Sequence, residues 1–81
     1  MVFTESINYH ATHIGAIQTN KEEMNIVYNV GIYITQRRFG EYQEVEITGS
    51  IKDISNCKKS LEKVVEKAEI DYQDYMDRKK R

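Results

Sequence analysis

Eighty-one residues, 40% of them hydrophobic and 31% charged, bound the chain to one small globular domain, residues 1–81. The composition is too apolar for a disordered chain, and no run reaches the roughly 18 apolar residues needed to span a bilayer. A net charge of -1 gives no overall pull toward a polyanion, so any nucleic-acid reading must rest on local clusters.

The charge is unevenly spread. Residues 1–53 hold four Lys/Arg against seven Asp/Glu, and residues 54–81 hold eight against six. The first residues, Met-Val-Phe-Thr-Glu-Ser, lack a basic stretch followed by an apolar one, so no secretory signal is expected. A lone Cys57 leaves no internal disulfide. Both point to a reducing, cytoplasmic setting.

From Val2 to Thr19 two periods compete. Phe3, Ile7, Tyr9 and Ala11 alternate as in a strand, whereas Ile7, Ala11, Ile14 and Ile17 could line a helix. The β-branched residues (Val2, Thr4, Ile7, Thr12, Ile14, Ile17, Thr19) and Gly15 favour a strand, with a bulge between Ala11 and Ile14. Asn20–Glu23 then reads as the polar connection of a hairpin.

Ile26, Tyr28, Val30, Ile32 and Ile34 form the apolar side of a second strand, with Tyr33 and Thr35 on its wetter side. After the turn the parity reverses, and Val45, Ile47 and Ile51 become the apolar set. A two-residue loop at Phe39-Gly40 sets Ile34 opposite Val45 and Ile32 opposite Ile47. Moving the loop to Gly40-Glu41 keeps the same parity and buries the same face.

Beyond Ile51, Cys57, Leu61, Val64, Val65, Ala68, Tyr72, Tyr75 and Met76 recur at threes and fours, predicting one long amphipathic helix from about Ile54 to about Arg78. Asp53 or Ser55 can cap its start. The expected fold is therefore α+β: an antiparallel three-stranded meander followed by one long C-terminal helix on the apolar sheet face. Three strands spaced about 4.8 Å are wider than one helix of roughly 10 Å covers, so a homodimer is expected.

The chemistry-bearing groups are few. His10 and His13 would point to opposite faces of a strand, and no further Cys or His lies nearby, so neither a metal nor a cofactor is expected. Cys57 sits on the apolar helix stripe and reads as core. Glu41, Glu44 and Glu46 suggest cross-strand pairing with arginine before acid–base chemistry. With no nucleophile motif and no phosphate loop, the chain reads as a non-enzyme.

The remaining constellation lies near the hairpin tip. Tyr33, Arg37, Phe39 and Tyr42 share the wetter face, next to Arg38, and could stack on and pair with unpaired nucleotides. The C-terminal run Arg78, Lys79, Lys80 and Arg81 adds positive charge. The first functional expectation is a nucleic-acid-binding module preferring single strands. The alternative is a protein-interaction module, for which exposed rings beside arginine are equally apt.

The stretch Gln36-Arg37-Arg38-Phe39-Gly40-Glu41-Tyr42-Gln43-Glu44-Val45-Glu46-Ile47, with an amphipathic helix after it, resembles a pattern in small proteins encoded by phages and archaeal viruses. In these a strand ends in Gly-x-Tyr and an acidic alternating strand follows. The resemblance covers about half of the chain. It implies a strand–strand–helix module, a viral origin, a host-cell cytoplasm and, under the interaction reading, a host protein as partner; it names no activity.

Overall fold

The computed structural model describes residues 1–79, the last of them by its backbone alone. Five elements follow in order: β1 (Phe3–His10), α1 (Ala11–Tyr28), β2 (Gly31–Phe39), β3 (Tyr42–Gly49) and α2 (Ile51–Lys79). The α+β class and the long C-terminal helix hold, but the meander does not.

The first correction is α1. The strand expected through Thr19 ends at His10, and the expected connection Asn20–Glu23 lies inside a helix of 18 residues. Ile14, Ile17 and Met24 are buried, with Lys21 and Tyr28 partly so, which traces a stripe at alternating threes and fours. Polar residues are accommodated by bonds back along the helix: the Thr19 hydroxyl donates to the Gly15 carbonyl (2.9 Å) and the Asn20 amide to that of Ala16 (2.8 Å). Burial of the stripe outweighs the weak helix propensity of its β-branched residues.

Asn29 ends the helix in the left-handed region (φ 54°, ψ 49°), and the Val30 N–H donates to the Asn25 carbonyl. Strand β2 therefore begins at Gly31, and Ile26 and Tyr28 belong to α1. The Asn25 side chain accepts from Ile32 N–H at 3.0 Å, tying the helix end to the strand it feeds.

The second correction is strand order. The sheet runs β1-β3-β2, so β1 pairs with β3 and not with β2. Both pairings are antiparallel, which leaves β1 and β2 parallel with β3 between them, a split β-α-β unit. With a helix in place of the expected loop, the chain crosses over and β2 emerges one strand away.

The hairpin contains both registers that the alternation allows. Ile34 faces Val45 and Ile32 faces Ile47, as a Phe39-Gly40 loop would give; at the tip, Phe39 faces Tyr42 and Arg38 faces Gln43, as a Gly40-Glu41 loop requires. Between them β2 advances four residues while β3 advances two. The surplus is even, so the apolar face stays continuous across the bulge. Thr35 bridges it: its hydroxyl donates to the Glu44 carbonyl (3.2 Å) and accepts from Arg37 N–H (3.2 Å), while its carbonyl accepts from the Gln43 amide (2.8 Å). Gly40 takes φ +62°, and Glu41 after it keeps negative φ, the type II′ pattern.

The core joins Ile14, Ile17 and Met24 of α1, Ile32 of β2, Val45 and Ile47 of β3, and Ile54, Cys57 and Leu61 of α2, with Val30 beside them. Ser50 caps α2, its hydroxyl accepting from Asp53 N–H at 3.1 Å, so the helix starts earlier than Asp53 or Ser55 as caps would allow.

Candidate functional site

Alternation along the paired strands sorts the sheet into two faces. Tyr9, Gln43, Val45, Ile47, Ile32 and Ile34 share the core side, and Asn8, His10, Tyr42, Glu44, Glu46 and Tyr33 share the other. On this second face Tyr33 (60% exposed), Phe39 (61%) and Tyr42 (50%) are the large exposed rings. Phe39 and Tyr42 are direct cross-strand partners at the tip; Tyr33 stands opposite Glu46, four residues along β3 from Tyr42 and on the order of 13 Å away.

Arg37 belongs to this group, because its guanidinium reaches the Glu44 carboxylate at 3.9 Å. Glu44 is buried beneath it, so its charge is held within the sheet rather than displayed. Arg38 is separated from the group: it pairs with Gln43 on the core side and lines a recess with Gln18 and Lys21 of α1. Arg78 is exposed near the far end of α2. Of the other basic candidates, Lys79 is described only by its backbone, and Lys80 and Arg81 lie outside the described residues.

Sequence reasoning missed the histidines' role. His10 and His13 do not point apart on a strand; they straddle the β1–α1 junction with ring centroids 6.0 Å apart. His10 Nδ1 accepts from Thr12 N–H at 3.3 Å and lies 2.8 Å from the Thr12 hydroxyl, so the ring proton is on Nε2, which donates to Glu41 at 3.1 Å. The same ring meets Tyr42 edge-on. One side chain thus caps α1, holds the hairpin turn and braces an exposed ring. Its signal in the sequence was a polar acceptor just before a helical stripe, hidden while that stripe was read as strand.

Beside this junction lies a groove of about 670 Å³, lined by Tyr9, His10, His13, Tyr42, Glu69 and Tyr72 among others. Burial, with the Cys57 thiol once it ionises and the Glu62 and Glu5 carboxylates, pushes the Tyr9 phenol up to about 12, so it stays a neutral hydroxyl. Burial also pushes the Cys57 thiol up to about 11, which makes it an inert core group rather than a nucleophile. Among the described residues no group of three His, Cys, Asp or Glu could hold a metal ion, and no helix is long and apolar enough to cross a membrane.

No protein-family model matches the chain, and no curated protein matches its sequence.

Proposed function

We propose that the protein is a non-enzymatic nucleic-acid-binding module preferring single strands, with Tyr33, Phe39 and Tyr42 as base-stacking surfaces and Arg37 meeting phosphate. The observation that carries this reading is the exposure of three rings on one sheet face, the one opposite Val45 and Ile47: Phe39 and Tyr42 paired at the hairpin tip, and Tyr33 further along the strands. In this reading the two helices lie together over the core side and leave the ring-bearing face open. Flat rings on an open sheet suit bases that are splayed out, and base–aromatic stacking contributes about 1–3 kcal/mol per base. Arg38 and the basic C-terminal run would add charge from the flanks. The protein would work in the cytoplasm, that of a host cell if its origin is viral.

Fluorescence anisotropy of labelled single-stranded and duplex DNA and RNA, titrated at low and moderate salt, tests it. Saturable binding that favours single strands, falls with added salt and weakens in Tyr42→Ala and Tyr33→Ala is the expected result. Absence of binding at low salt would sink it.

One observation favours a second reading, recognition of a protein, a host protein if the origin is viral. Glu46 shares the face with the rings and would repel phosphates while attracting a basic partner. Salt-insensitive binding to nucleic acid, together with capture of a basic protein that Tyr42→Ala abolishes, would move the assignment there.

A further inference from the structure

We propose that the projecting end of α2 is a dimerisation surface that takes the same segment of a second copy in antiparallel pairing. This does not depend on the nucleic-acid reading.

The argument begins with length. Eighteen residues of α1 span about 27 Å and eight of strand about 26 Å, whereas the 29 residues of α2 span about 43 Å. The two helices run antiparallel, with Met24 and Tyr28 of α1 near Ser60 and Val64 of α2, and Thr12 and His13 near Ala68 and Tyr72. Since α1 starts beside Tyr72, the remainder of α2 runs past the body at the hairpin-tip end. The molecule is accordingly 53 Å long against 27 and 16 Å in its other dimensions.

The stripe that α1 covers does not stop where α1 does. Val65, Ala68, Tyr72 and Tyr75 continue it at spacings of three and four, with Met76 beside them. Tyr72 and Tyr75 are each 57% exposed and Met76 38%. Ile70, also exposed, lies off the stripe. A single helix projecting into water gains nothing from an apolar stripe; a second helix laid along it does.

Charge identifies the occupant as another copy. Asp71 and Arg78 flank the stripe on one side, seven residues apart. In an antiparallel pair of identical helices, equivalent flanking positions face each other. With Tyr72 against the second copy's Tyr75, Arg78 faces the second copy's Asp71, and the two-fold axis repeats the pair. Parallel pairing would instead set each flank against the opposite one, Asp71 beside the second copy's Met76, and leave the Asp71–Arg78 pair unmade. The second copy then holds, along the projecting end, the antiparallel place that α1 holds nearer the body.

The test is the mass of the full-length protein by sedimentation velocity and light scattering across a concentration series. The expected species is twice the 9.6 kDa chain. Tyr72→Glu should give monomer with an unchanged circular dichroism spectrum, since the residue is exposed. Arg78→Asp and Asp71→Arg should each weaken association by about tenfold or more, and the double variant should restore it. A wild-type protein that is monomeric at every concentration, or a dimer indifferent to Tyr72→Glu, overturns the surface. A double variant no tighter than the singles overturns the antiparallel geometry.

Discussion

The His10 imidazole stands edge-on to the Tyr42 ring, with centroids 5.5 Å apart and planes at 90°. These residues are register partners at the last pair of β1 and β3, and just beyond them Ala11 N–H donates to the Glu41 carbonyl at 2.8 Å. The start of α1 is thereby clamped to the hairpin turn. His10→Ala removes the ring contact and the acceptor for Thr12 N–H, and should cost about 1–2 kcal/mol in urea denaturation. His10→Asn retains a cap and should recover part of the loss.

Gly40 is the one glycine with positive φ, and a side chain there would meet no neighbour. The cost of Gly40→Ala is therefore backbone strain alone, about 1 kcal/mol, and Gly40→Asn should cost a similar amount despite its larger side chain, because the first position of a type II′ turn lies outside the left-handed helical region that Asn tolerates. Thermal melts of both variants separate strain from crowding.

Gly31 presents the opposite case. A Cβ there would come within 3.0 Å of the Tyr33 ring, which lies over the glycine. Gly31→Ala should push that ring aside with little loss of stability, visible as a change in the Tyr33 ring proton shifts. If Tyr33 stacks on bases, single-strand affinity should change with it.

Raised pKa values translate into alkaline sensitivity. Both Cys57, from 9.0 to about 11, and Tyr9, from 10.0 to about 12, hold their protons more tightly when folded. The unfolded chain binds fewer protons between about pH 9 and pH 12, so stability, full below pH 9, falls as pH rises through that window. The loss is on the order of 2 kcal/mol per group. Denaturation series at pH 8 and pH 10.5 should show the decline, and Cys57→Ala should flatten its lower part.

Leu61 is fully buried where α2 joins the core. Leu61→Ala should cost about 2–5 kcal/mol, against under about 1 kcal/mol for Lys58→Ala, which breaks only the exposed 2.9 Å pair with Glu5.

What the sequence made readable was parity. Ile32, Ile34, Val45 and Ile47 alternate without exception, so their pairing and the exposure of Tyr33 and Tyr42 followed directly. Helix α1 was obscured because Lys21 interrupts its apolar stripe and its threonines and isoleucines carry strand preference. With α1 read as strand and loop, neighbouring strands were paired by default and the place of β3 between β1 and β2 was lost. The meeting of His10, His13, Tyr42 and Tyr72 depends on that same junction, and no local pattern announces it.

The central position of β3 also dictates an order of assembly. Phe3 finds its partner only at Gly49, so the strand translated first is the last to acquire one. The β2–β3 hairpin can zip locally, but β1 must wait across more than half the chain, and closing that longer loop carries the larger entropic cost. On the ribosome, the first ten residues stay unpaired until β3 has cleared the exit tunnel.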